Sequence, residues 1–145
     1  MKIKTIIATV LLTTGLGFGI AGTTANASSW HKGTPGFLRN TFYRTKLSPK
    51  YVKLGNRWVR NGNAHRYEGF KTYQTQTKFY GYQYNLKLKN CHYKHSGHTY
   101  VIRGKYGYAI KLVRIGKNRI YANAGNVDSS GKGNFSKLER MTRIY

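Results

Sequence analysis

The chain has 145 residues, of which 26 are Lys or Arg and only 3 are Asp or Glu, a formal net charge of +23. Three acids leave little room for hydrolysis by paired carboxylates, and a single cysteine, Cys91, excludes an internal disulfide framework. Charge at this density favours disorder, but an aromatic content of 14% that includes 13 Tyr argues for a folded domain.

Lys2 and Lys4 open the chain, an apolar stretch follows from Ile6 to Ile20, and Ala25-Asn26-Ala27 forms a small-x-small cleavage site. This pattern predicts a signal peptide over residues 1–27 and a mature chain from Ser28. The stretch is shorter and richer in Gly than a membrane-spanning helix of about 20 apolar residues, so stable membrane insertion is not expected. The expected product is secreted, extracellular or cell-wall associated. Without Lys2 and Lys4, 24 basic residues face Glu68, Asp128 and Glu139, a net charge of +21. Such a charge drives association with polyanions that weakens with salt.

Residues 28–36 read as an N-terminal extended segment and 37–145 as one domain, a size that buries a core without staples. The segment from Lys50 to Arg60 fits neither the helical nor the strand period, and Asn61-Gly62-Asn63 marks a turn. From Phe79 to Lys89, Tyr80, Tyr82, Tyr84, Leu86 and Leu88 alternate with polar or small residues, which predicts one strand with a wet face and an apolar face. Tyr100 and Ile102, then Tyr106, Tyr108, Ile110 and Leu112, repeat the pattern. Gly116-Lys117-Asn118 predicts a hairpin loop. Between Phe37 and Met141 eight to ten strands fit, so the expected fold is all-β, a small antiparallel up-and-down β-barrel, with an SH3-like or other small barrel as the alternative.

Residues Trp30-His31-Lys32-Gly33-Thr34-Pro35, with Leu38-Arg39-Asn40-Thr41-Phe42 after them, resemble the start of small exported proteins of lactobacilli, and Gly133-Asn134-Phe135-Ser136-Lys137-Leu138 resembles their closing strand. The resemblance implies a lipocalin-like barrel. It carries over no ligand-binding residue. Lipocalin-type barrels open on a Gly-x-Trp whose Trp plugs one end; here Asn40 and Phe42 stand in those positions, and Phe42 is expected to serve as the plug.

Cys91, His92, His95 and His98 are the one cluster with soft and imidazole ligands, but strand geometry turns His92 and His95 to opposite faces, and the favoured reading is a polar turn with exposed imidazoles. No cofactor or metal is expected. A Cys or Ser nucleophile lacks a supporting motif, so a non-enzymatic protein is expected. The tyrosines Tyr80, Tyr82, Tyr84, Tyr100, Tyr106 and Tyr108 are read first as core or lumen residues and second as stacking platforms for sugar rings or bases.

With that face inward, Lys87, Lys89, Arg103, Lys111 and Arg119 point outward, and the missing counter-charges distinguish them from an ordinary mixed surface. They are the candidate polyanion-binding residues. The expected function is electrostatic binding of anionic cell-envelope polymers of teichoic-acid type by a monomer. The alternatives are a carrier of a small amphipathic ligand and a cationic membrane-active factor, and non-specific binding of nucleic acid outside the cell shares the same chemistry.

Overall fold

A computed structural model describes residues 29–145; the predicted signal peptide, 1–27, lies outside them. Thirteen short strands and two single-turn 3-10 helices make up these residues. The strands are β1 (His31–Lys32), β2 (Thr41–Arg44), β3 (Tyr51–Leu54), β4 (Arg57–Arg60), β5 (Gly69–Thr72), β6 (Thr77–Tyr80) and β7 (Asn85–Leu88). They continue with β8 (His92–Ser96), β9 (Thr99–Arg103), β10 (Tyr108–Arg114), β11 (Arg119–Val127), β12 (Gly133–Phe135) and β13 (Glu139–Arg143). The fold is all-β and every ladder is antiparallel.

Eleven strands form one sheet in the order β1-β8-β9-β10-β11-β13-β2-β5-β6-β7, with β12 added to β11, and β3 and β4 pair only with each other. Two meanders, β2-β5-β6-β7 and β8 to β13, are therefore joined where the last strand meets β2. The ring expected of an up-and-down barrel is left open at one seam, because no ladder joins β7 to β8 among the described residues.

A single sheet has only itself against which to bury an apolar face. One core accordingly gathers Leu38, Tyr43, Phe70, Phe79, Leu88, Ile102, Ile110, Leu112, Ile120 and Met141 from strands on both sides of the seam, so the sheet is rolled. Two devices hold the seam without a ladder. Near one end the Gly33 N–H donates to Cys91 O at 2.7 Å and the Thr34 N–H to Gln74 O at 3.1 Å. Elsewhere Gly104 lies so close to β7 that a Cβ placed on it would sit 2.9 Å from Leu88 Cα.

The outcome differs from the sequence reading in three places. Residues 79–89 form the β6–β7 hairpin rather than one strand: the Gly81 N–H donates to Tyr84 O at 2.7 Å, and the Tyr84 ring stacks on Phe79. Of the tyrosines expected inside, Tyr84, Tyr106 and Tyr108 are exposed, Tyr106 to 89% in a left-handed turn, and Tyr80, Tyr82 and Tyr100 are half-buried, with Tyr100 packed on the core; Tyr43, Phe70 and Phe79 supply the fully buried rings. The plug is also different. Thr41 and Tyr43 are buried and Phe42, between them, points away, while the 3-10 turn Gly36–Leu38 buries Leu38 and packs Phe37 against the core beside Tyr100. Asn40 does adopt the left-handed conformation, φ 58°, which glycine and asparagine tolerate best. The hairpin loop at Gly116-Lys117-Asn118 is present, closed by the Ile115 N–H on Arg119 O at 3.1 Å.

A methyl group at Gly104 has no room beside the Leu88 backbone. Gly104→Ala is expected to destabilise the fold by about 1–3 kcal/mol in urea unfolding; unchanged stability would contradict a packed seam.

Candidate polyanion-binding face

Inward and outward positions alternate along each strand of the β2-β5-β6-β7 meander. Tyr43 pairs with Phe70, Phe70 with Phe79 and Phe79 with Leu86, an apolar row that faces the core. The neighbouring row must then face out. It runs Phe42 to Lys71, Lys71 to Lys78 and Lys78 to Lys87, each directly opposite the next. Directly opposed residues stand with Cβ atoms roughly 5 Å apart, and like charges in that position repel. Three lysines in one cross-strand row therefore concentrate positive charge in a way that random surface placement does not.

Aromatic rings frame the row. The Phe42 ring packs against Tyr67 at 5.9 Å, Tyr145 at 5.8 Å and Tyr80 at 6.3 Å, and Arg44 lies over Tyr67 at 5.2 Å. Lys71 Nζ sits 5.3 Å from the centre of the Tyr145 ring and 5.7 Å from that of Tyr73. Its pKa is held above the ordinary lysine value, first by a hydrogen bond with Tyr145, then by the Tyr145 and Tyr73 phenols. Tyr145 is fixed in turn, because the Phe42 N–H donates to its main-chain oxygen at 2.9 Å and the Ile144 N–H to Phe42 O at 2.7 Å. Phe42, Tyr67, Lys71, Tyr80 and Tyr145 line a recess of about 280 Å³. Beside it, sharing Tyr80, a second recess of about 280 Å³ is lined by Lys78, Phe79, Asn85, Leu86 and Lys87. The arrangement can hold a chain of anions along the lysines with flat groups against the rings.

Of the candidate residues, Lys87 stands in this row and Lys89 follows on the same exposed edge. Arg103 precedes Gly104, so the close approach of Gly104 to Leu88 brings its segment alongside the one carrying Lys87 and Lys89. Its guanidinium lies over the Trp30 ring at 4.2 Å, and Lys94 Nζ lies 5.2 Å from the same ring. Lys111 is opposite Val101, diagonal to Arg103, and its ammonium lies 5.9 Å from the Phe135 ring centre. Arg119 opens β11 opposite Thr142, which stands opposite Arg44, so it is two strands beyond β2 and outside the cross-strand row itself. Lys71 and Lys78 were not among the candidates; the alternation in Gly69–Thr72 and Thr77–Tyr80 would have marked both as outward.

The segment read as an N-terminal extension is latched to the domain. The Trp30 indole N–H donates to Ser129 O at 2.9 Å, and the Lys94 ammonium donates to Ser130 O. Asp128 shapes that loop by accepting from the Ser130 N–H at 2.8 Å and its hydroxyl at 2.6 Å, bonds that hold its carboxyl below the usual range. Cys91 is buried, and burial pushes its thiol up to about 11, which suits packing rather than nucleophilic attack. His92 and His95 stand at different surroundings on β8: His92 Nδ1 lies 3.0 Å from Asn90 O, while the His95 ring stacks on Tyr100. Among the described residues no group of three or more His, Cys, Asp or Glu is gathered as for a metal.

Comparison of the chain with family models, curated proteins and solved structures returned no match.

Glu68 is the buried acid. Its backbone N–H donates to Thr45 Oγ1 at 3.1 Å, and its carboxyl pKa is raised by burial first and by the charge of Glu139 second, against a hydrogen bond from the Tyr82 backbone. A carboxyl raised on folding holds its proton more tightly in the fold, so stability falls as pH rises from the ordinary carboxyl value through the folded one. At neutral pH the full penalty is present; below about pH 4 it disappears. Gln keeps the oxygen that accepts from Tyr82 without the charge. Glu68→Gln is therefore expected to raise the thermal midpoint at pH 7, with the difference from wild type closing below about pH 4. A variant less stable at pH 7 would contradict this account.

Proposed function

We propose that the protein is a non-enzymatic, exported binder of anionic cell-envelope polymers of teichoic-acid type, held to them electrostatically through the outer face of β2, β5, β6 and β7. The observation that carries this reading is the row Lys71, Lys78 and Lys87, three lysines on adjacent strands, each directly opposite the next. Left alone the row is self-repelling; a polymer with regularly spaced phosphates relieves the repulsion and releases counterions on both sides. The recess beside it that Phe42, Tyr67, Tyr80 and Tyr145 line accepts the apolar parts of a repeating unit.

The strand order also supports the finer reading of the fold, a lipocalin-like barrel opened at one seam. The carrier alternative gains nothing from the interior, where Leu38, Phe70, Phe79, Ile102, Ile110, Leu112, Ile120 and Met141 have no exposed surface and fill the space a cargo would take. Export and localisation rest on the reading of residues 1–27 as a signal peptide.

The test is binding to poly(glycerol phosphate) across a salt series for wild type, for the triple variant Lys71→Gln, Lys78→Gln, Lys87→Gln, and for a control triple Lys117→Gln, Lys132→Gln, Lys137→Gln that removes equal charge elsewhere. The row variant is expected to lose affinity at least about tenfold and to flatten the log–log salt slope by about 2, whereas the control changes little. Equal losses in both would overturn the assignment, since they would mean diffuse attraction to net charge. Tighter binding to single-stranded DNA of equal charge would shift the partner to nucleic acid.

A further inference from the structure

The β3–β4 hairpin lies outside the rolled sheet and presents its apolar groups to solvent. Tyr51 pairs with Arg60, Val52 with Val59, Lys53 with Trp58 and Leu54 with Arg57. Leu54 is 71% exposed, Trp58 69%, Tyr51 48% and Val52 37%. A two-stranded hairpin alone is marginal in water, and this one is stapled at its base: the Asn61 N–H donates to Lys50 O at 2.9 Å, the Ser48 N–H to Arg66 O at 2.8 Å and the His65 N–H to Ser48 O at 2.9 Å. Leu54 and Arg57 flank the Gly55-Asn56 tip and Trp58 follows; opposed pairs share a face and neighbours alternate, so Leu54 and Trp58 lie on opposite faces close to the tip, and the held hairpin keeps apolar surface exposed at that end where burial would be favoured.

Charge points to what covers it. Between residues 46 and 66 the chain carries Lys46, Lys50, Lys53, Arg57, Arg60 and Arg66 and no acid. Trp and Tyr seat at the boundary between headgroups and acyl chains, with Lys and Arg reaching to anionic headgroups. We propose that this hairpin docks on an anionic lipid bilayer, inserting Leu54 and Trp58 at the interface while the four cations of the hairpin and its base, Lys50, Lys53, Arg57 and Arg60, engage the headgroups. The docking is interfacial. No described helix is long and apolar enough to cross a membrane. This site is separate from the lysine row, so a mature protein could engage wall polymer and membrane surface through different elements.

The chain has two tryptophans, and Trp30 is already stacked beneath Arg103, which makes Trp58 the reporter. The experiment titrates wild type, Trp58→Phe and Leu54→Asp with vesicles of phosphatidylglycerol and phosphatidylcholine, and with phosphatidylcholine alone, following tryptophan emission and quenching. The expected result is a blue shift and protection from an aqueous quencher with the anionic vesicles only, absent in Trp58→Phe, with Leu54→Asp weakening vesicle affinity by about tenfold. Leu54 lies outside the core, and an unchanged thermal midpoint for Leu54→Asp confirms that the fold persists. Binding of Leu54→Asp to poly(glycerol phosphate) is expected to match wild type, which separates this site from the lysine row. No shift at low salt, an equal shift with phosphatidylcholine alone, or unchanged affinity in Leu54→Asp would each overturn the proposal. So would a Trp58 already protected in a dimer before vesicles are added, which would assign the hairpin to a second copy of the chain.

Discussion

The inward row Tyr43, Phe70, Phe79 and Leu86 is the contact on which the rest of the molecule depends. It locks β2, β5, β6 and β7 in register, and strand geometry then leaves no choice about the adjacent row. A slip of one residue would carry Lys71, Lys78 and Lys87 into the core and the rings into water, so the apolar energy of the inward row holds the lysines together against their repulsion. Concentrated charge on this face is thus a consequence of packing beneath it.

The remaining charge is distributed by the same constraint but meets different partners. Arg103 and Lys94 are taken up by the Trp30 ring, Arg114 lies over Phe37 at 4.3 Å, and Lys111 faces Phe135. With so few carboxylates available, aromatic faces and loop carbonyls act as the counter-groups that acids supply on ordinary surfaces. Two of the three acids have structural employment: Asp128 shapes the loop that latches Trp30, and Glu68 anchors the Tyr82 segment at an electrostatic penalty. The third, Glu139, lines a cleft of about 490 Å³ with Arg140 and the 45–49 segment.

Period-two alternation was enough to read an all-β domain, because each strand carries its own inward and outward faces. The β10–β11 hairpin was legible from its turn residues, Gly116-Lys117-Asn118, which are local. Alternation misled between Phe79 and Lys89, where Tyr82 and Tyr84 continue the pattern through what is a turn; the deciding contact, Tyr84 against Phe79 and Gly81, depends on chain reversal. The lysine row was illegible for a related reason. Each lysine looks like an ordinary outward residue on its own strand, and only the register between strands aligns them. Phe42 is not the plug because Thr41 and Tyr43 hold the inward positions of β2, which turns Phe42 outward, and Leu38 from the preceding 3-10 turn is buried instead.

The central claim is that anionic polymer is recognised by the lysine row and its flanking rings rather than by net charge spread over the molecule. The most direct measurement is a titration of isotopically labelled protein with poly(glycerol phosphate), followed residue by residue in NMR spectra. The account predicts perturbations concentrated at Lys71, Lys78 and Lys87 and at Phe42, Tyr67, Tyr80 and Tyr145. Perturbations scattered over exposed Lys and Arg on every face, including Lys117, Lys132 and Lys137, would contradict it.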